Sequence, residues 1–204
     1  MCDYRALVFA TALVAVTPFS WSQRETPQPR TNATTSTPNV LPTKGLIEQG
    51  TYKNASIGLE FTPAENLHLQ EPEMKGTPGS IPLLVTVQAL ADQGVISSLF
   101  WVRSLTVFYA DALAYYPEDQ RNAPRYMKKV IRANEAEGFQ HVDGETSGQI
   151  SGIPFIRADF AKRGGREVVL VTTNNTHALV FIFAGSGLEV TNKLIASTKL
   201  KFTP

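Results

Sequence analysis

The side chains able to do chemistry in this chain are few and scattered. Its three histidines, His68, His141 and His177, show neither His-x-x-x-His nor His-Glu-x-x-His spacing, which would put two imidazoles on one helical face around zinc. His141, Asp143 and Glu145 alternate along a predicted strand, so they could share one face and hold a hard or borderline cation. The plainer reading is a solvent-facing strand edge. Ser186 in Ala184-Gly-Ser-Gly187 lacks the first glycine of a Gly-x-Ser-x-Gly nucleophile elbow, and its spacing to Glu189 fits a capping box. Gly185-Ser186-Gly187 ahead of a helix could cradle an anion, but no Lys-Ser/Thr pair follows and no downstream acid is placed to hold a ribose. His177 falls at a hairpin turn, where an exposed polar residue is expected. No set of residues is expected to be catalytic, to hold a metal or to bind a cofactor, and the chain is read as non-enzymatic.

Two other groups have scope for recognition. The aromatics Phe100, Trp101, Phe108, Tyr109, Tyr115 and Tyr116 are of the kind that lines pockets and partner surfaces, although core filling accounts for most of them. Trp101, Tyr115 and Tyr116 are the candidates for a partner or ligand surface, with Tyr115-Tyr116-Pro117 expected to be exposed at a strand end. Arg125, Lys128, Lys129 and Arg132 fall on one face of a predicted helix. They could meet an acidic partner, but a solvated helix face is the simpler account, since Glu135 and Glu137 follow close behind.

The elements that must position these residues are clearest at the C-terminal end. Glu167 to Thr173 and Ala178 to Ala184 are continuous apolar runs rich in Val, Ile and Phe, which predicts two strands covered on both faces. Asn174-Asn-Thr-His177 between them suits a tight turn, because Asn tolerates left-handed backbone. A helix is expected from near Gly187, then a short edge strand over Lys199 to Phe202. Upstream, Gly50 to Asn54 and Ile57 to Thr62 read as a hairpin, and Leu83 to Leu90 and Ser104 to Ala110 as strands. A helix is expected between Pro117 and Gly138, buried through Tyr126, Met127, Val130 and Ile131. After it come Phe139 to Asp143 and Ile153 to Phe160. The order of elements is that of an α+β fold with helices packed on a mostly antiparallel sheet.

The 204-residue chain, 43% hydrophobic and 18% charged, has the composition of one globular domain with extensions. Arg5 precedes the apolar run Ala6 to Val16, with small residues at Ser20 and Ser22. That is the layout of a secretory signal peptide over 1–22, so the protein is expected to be exported, to the periplasm or beyond the cell, with no membrane span after cleavage. The only cysteine, Cys2, lies in that segment, so a cleaved chain could form neither a disulfide nor a thiolate metal site. Residues 23–44, rich in Pro and Thr, read as a disordered linker and 45–204 as the folded domain. The net charge of +1, without a basic stripe, argues against a generic nucleic-acid or anionic-membrane binder.

Tyr52-Lys-Asn-Ala-Ser-Ile-Gly-Leu-Glu-Phe61, followed by Pro63, resembles the first hairpin of PsbP-like domains. The strand Ala178 to Phe183, then Gly, a polar helix and Ser197-Thr198 leading to Leu200 and Phe202, is similar to the end of such domains. The resemblance implies a three-layer α/β/α sandwich around a mostly antiparallel sheet. It also implies a function exercised by binding a protein partner, and it carries over no site residue because the matched positions belong to a hairpin and a helix. A small-molecule or lipid carrier with an aromatic pocket near Trp101 and Tyr115 is the alternative.

Overall fold

The two apolar runs at 167–173 and 178–184 form adjacent strands buried along nearly their whole length, and the other elements are arranged to cover them. The computed structural model describes residues 43–75, 84–97, 100–174 and 176–203. The expected signal peptide, nearly all of the expected linker and the loop around Gly76 to Gly79 lie outside the described residues.

In chain order the strands are β1 (Leu46–Glu48), β2 (Thr51–Asn54), β3 (Leu59–Thr62), β4 (Leu67–Leu69), β5 (Glu73–Lys75), β6 (Leu84–Ser97) and β7 (Phe100–Ala112). Helix α1 (Ala123–Ala136) follows, then β8 (Gln140–Ile150), β9 (Ile153–Lys162), β10 (Gly165–Thr173), β11 (His177–Gly185), helix α2 (Leu188–Ser197) and β12 (Lys199–Phe202). They form two antiparallel sheets. The smaller has the order β1-β2-β3-β12, and the larger β4-β6-β7-β11-β10-β9-β8, with β5 also paired to β6.

This corrects the expected three-layer α/β/α sandwich. The described residues are mostly β, with two sheets and two α-helices. The small sheet and α2 share one face of the large sheet, where Tyr52, Leu59 and Phe61 of the small sheet, Leu194 of α2 and Leu200 of β12 join Phe108, Leu170 and Phe181 in a single core. Period-2 alternation puts Leu59 and Phe61 inward and Glu60 and Thr62 outward. An aromatic seam joins the sheets: Phe181 lies 4.8 Å from Phe108 and 5.4 Å from Phe61, and Tyr52 lies 5.8 Å from Phe108, ring centre to ring centre. Such rings contribute contact beyond their buried area.

Helix α1 packs on β8, β9 and β10. It starts at Ala123, inside the expected window, for chemical reasons: the Asn122 side chain accepts from the Arg125 amide at 3.0 Å and Pro124 occupies the first turn. It ends at Gly138, whose φ of +83° suits glycine. Its buried face presents Tyr126, Met127, Val130 and Asn134, and Asn134 Nδ2 donates to buried Glu167 Oε1 at 3.0 Å. Since Glu167 alternates with core residue Val168, α1 lies on the opposite face of the large sheet from the small sheet.

Two local expectations fail and a third is only partly testable. Of the two turn asparagines, Asn175 lies outside the described residues and Asn174 has no left-handed φ; Asn174 shapes the turn through its side chain, which accepts from the Thr176 amide at 2.9 Å and the His177 amide at 2.6 Å and donates to the Ile57 carbonyl at 3.1 Å. The capping box at Ser186 and Glu189 does not form. Gly187 caps α2 without a side-chain bond, and Glu189 pairs with Lys193 one turn on, at 2.8 Å. In β8 the alternation is interrupted between Val142 and Thr146, with Asp143 and Gly144 at positive φ, a bulge that re-aims side chains.

Two tests of this packing follow from its geometry. Gly58 has φ +69°, and a Cβ there would sit 2.8 Å from the Thr203 carbonyl oxygen, whose residue's amide donates back to the Gly58 carbonyl at 3.0 Å. Gly58→Ala is therefore expected to cost about 1–3 kcal/mol by denaturant titration; a variant as stable as wild type would show that this contact yields freely. Burial raises the Glu167 carboxyl to about 7, with the Asn134 bond and the Lys162 charge acting the other way. The folded chain thus holds this proton to higher pH than the unfolded chain does. The stability it contributes is complete below about pH 4.5 and is lost as pH rises through about 7, a change on the order of 3 kcal/mol. Glu167→Gln keeps the acceptor without the charge, so its melting temperature should vary less over that window than that of wild type. Identical pH profiles would remove Glu167 as the cause.

Candidate functional site

At the end of β7 the chain carries an acid into the interior. Asp111, 2% exposed, pairs across the sheet with Leu84 on β6 and Ala178 on β11. A buried carboxylate is costly unless hydrogen-bonded or paired, and the segment that follows supplies its partners. The chain turns through two short 3-10 segments, Leu113–Tyr115 and Glu118–Gln120, and enters α1. This brings Tyr116 and Tyr126 so close that each hydroxyl donates to Asp111 Oδ2 at 2.5 Å. Lys129, one turn further along α1, places Nζ 3.3 Å from the same oxygen.

Lys129 also donates to the Tyr116 hydroxyl and lies over both rings, 4.4 Å from the Tyr116 centre and 4.9 Å from that of Tyr126. The rings meet edge-on at 5.8 Å. Arg121 fastens the loop from outside, its guanidinium donating to the carbonyls of Tyr116 at 2.8 Å and Ala114 at 3.3 Å. Burial first, and the Asp111 charge with it, pushes the phenols of Tyr116, Tyr126 and neighbouring Tyr109 well above their ordinary range. They are held as hydrogen-bond donors. A tyrosine beside a lysine can serve as a general base when the cation lowers its pKa; here the carboxylate works in the opposite direction, and proton abstraction by these phenols is disfavoured.

Outside this network lies an open cleft bordered by Asp119, Gln120, Arg125, Lys128, Lys129 and Arg132. Arg125, Lys128 and Arg132 are exposed, and among the described residues no salt bridge neutralises them. Tyr115, 36% exposed, precedes the loop on the same corner.

The three sequence candidates therefore separate. Tyr115 is exposed as expected, whereas Tyr116 is half-buried and spends its hydroxyl on Asp111. Trp101 pairs with Ile96 near the far end of β7, and its side chain lies outside the described residues. Ten residues of strand, about 33 Å of extended backbone, separate Trp101 from Asp111.

The histidines also differ from expectation. His177 is buried rather than exposed: Nδ1 meets Thr176 Oγ1 at 2.8 Å, Nε2 has no partner among the described residues, and burial lowers its pKa. His141 faces the Phe160 ring at 5.3 Å while Asp143 and Glu145 are exposed within the bulge, so these three do not converge. His68 is exposed beside Asp92 at 3.2 Å. Among the described residues no group of His, Cys, Asp and Glu could hold a metal ion.

Sequence reasoning missed Asp111, the residue that organises the corner. The signal was available: an acid set within Val107-Phe-Tyr-Ala-Asp-Ala-Leu113, a run too apolar to leave it in solvent, must bring its own partners. No family model matches this chain, and neither does any curated protein or solved structure.

The two phenols are not equivalent. Tyr126 is buried and Tyr116 half-exposed, so water can replace the second but not the first. Tyr126→Phe is expected to cost about 2 kcal/mol and Tyr116→Phe about 1 kcal/mol or less, measured by chemical denaturation. The reverse order would show that Asp111 depends on the outer phenol.

Proposed function

We propose that this chain is an exported, non-enzymatic binding module that acts by contact with a protein partner, and that the corner formed by Tyr115, the Asp111 network and the outer face of α1 is the contact surface. The observation that carries this reading is the combination of an exposed tyrosine and un-neutralised cations on a loop and helix fixed from beneath by a buried carboxylate. A surface held rigid before binding loses less freedom on association than a mobile one, and Tyr and Arg are the side chains most used at the centres of interfaces. Phenols kept protonated by burial and, after it, by the Asp111 charge are poor bases, which favours a binding role over a catalytic one. The reading rests on Tyr115 and the basic row and does not need an aromatic pocket shared with Trp101, which lies toward the other end of β7. Among the described residues no helix is long and apolar enough to cross a membrane. The proposal rests on this corner and on the export signal, and owes nothing to the resemblance to PsbP-like domains, whose matched residues form no site.

Cross-linking of the full-length protein in its native host, with mass spectrometry of its N-terminus and its neighbours, tests both parts. The expected result is a start near Gln23 and one dominant protein neighbour linked through the Tyr115 to Arg132 segment. An intact Met1 would sink export with cleavage, and the lack of a specific neighbour would sink the binding role.

A further inference from the structure

From the charge pattern of α1 we infer that the partner presents an acidic, extended segment, recognised by the row Arg125, Lys128, Lys129 and Arg132; this rests on the binding role proposed above. The four residues stand at positions i, i+3, i+4 and i+7 of one helix, directly opposite the buried stripe of Tyr126, Met127, Val130 and Asn134. Every neighbouring pair in the row is of like charge, and like charges at these spacings destabilise a helix. Arg125 also lies in the first turn, which carries no acidic residue, so its charge opposes the positive end of the helix dipole. Within α1 only Glu135, three residues past Arg132, stands within a turn of any member of the row. An arrangement that works against its own helix, on a surface where substitution is free, is of the kind kept for binding.

The dimensions identify the ligand class. From Lys128 to Arg132 the helix rises about 6 Å, close to the roughly 6.6 Å at which alternate side chains of an extended segment recur. Two carboxylates on one side of such a segment would meet Lys128 and Arg132 in register, with Arg125 about 4.5 Å further toward the start of the helix. A nucleic-acid backbone fits less well: the row is short, Asp119 borders the same cleft and the chain carries only +1 overall. Of the four cations, Lys129 is already engaged with Asp111. Arg125, Lys128 and Arg132 are the ones free to meet the partner, among the described residues.

Lys128→Glu separates this role from a structural one. The new carboxylate would face Arg125 three residues back and Arg132 four residues on, so the melting temperature is expected to hold or rise by about a degree or more. Binding of a fluorescent oligoglutamate peptide to the full chain is expected to weaken by about fivefold or more at low salt, and wild-type binding should fade by about 0.5 M salt. Lys199→Glu, on the exposed edge strand β12, is the control and should bind as wild type does.

Cross-linking in the host is run in parallel on wild type and Lys128→Glu. Loss of the neighbour only in Lys128→Glu supports the inference. A neighbour captured equally by both overturns it while leaving the binding role intact, and no neighbour with either overturns the binding role itself. Tighter binding of wild type to phosphatidylglycerol vesicles or to an oligonucleotide than to oligoglutamate would also overturn it, by assigning the row to a different polyanion.

Discussion

The constraint on which the rest of this structure depends is that β10 and β11 are apolar on both faces. Val168 to Val171 and His177 to Phe183 are buried without interruption, so each face needs its own cover, and two faces of one strand pair cannot be covered by the same element. One face receives the small sheet and α2 through the seam of Tyr52, Phe61, Phe108 and Phe181. The other receives α1. Once α1 lies on that face, its orientation is set by its apolar stripe and by the bond from Asn134 to Glu167, and its basic row must point outward. The direction in which the cations face is thus a consequence of core burial.

How far the sequence disclosed this depends on the range of the interaction. Strands β10 and β11, helix α1 and the start of α2 are marked by periodicity, by Asn122 and Pro124, and by glycines at the ends, all signals carried within a few residues. The covering of the large sheet is not local. Leu200 meets Phe61 across almost the whole domain, and nothing in Lys199-Leu-Lys-Phe202 except alternation says which strand it joins. An apolar face announces that it will be covered and leaves open whether a helix or a sheet does so; the expectation of a helical layer failed at that point. Asn174, Glu189 and His141 show the same limit at smaller scale. Each was assigned a sound local role, and each was taken by a different partner: the Ile57 carbonyl, Lys193 and the Phe160 ring.

The candidate corner was half legible for a related reason. Tyr115 and the basic row are surface features, and composition reveals surface features well. Asp111 has no motif, because its role arises only when the turn after β7 folds Tyr116, Tyr126 and Lys129 back onto it. Buried polar groups are high-stakes in this sense: fully partnered they fix a unique arrangement, and partly partnered they cost stability. Asp111 Oδ1 has no partner among the described residues, so the carboxylate depends on what gathers at Oδ2.

That dependence limits which cations can serve recognition. Lys129 is the only positive charge in contact with Asp111 among the described residues, and drawing it outward to a partner's carboxylate would leave a buried acid with two phenols and no counter-charge. Removing one member of a buried pair typically costs about 3–5 kcal/mol; the half-exposed position of Lys129, with 46% of its side chain accessible, lowers that figure through solvent screening. Even so reduced, the cost rivals what one exposed ion pair returns, about 0–1 kcal/mol. A partner docking as proposed would therefore gain more by engaging Arg125, Lys128 and Arg132 and leaving Lys129 where it is. Division of labour along one helical row follows from this difference: one cation secures the corner from within, and its three neighbours, in no salt bridge among the described residues, are the ones a partner docking as proposed would meet.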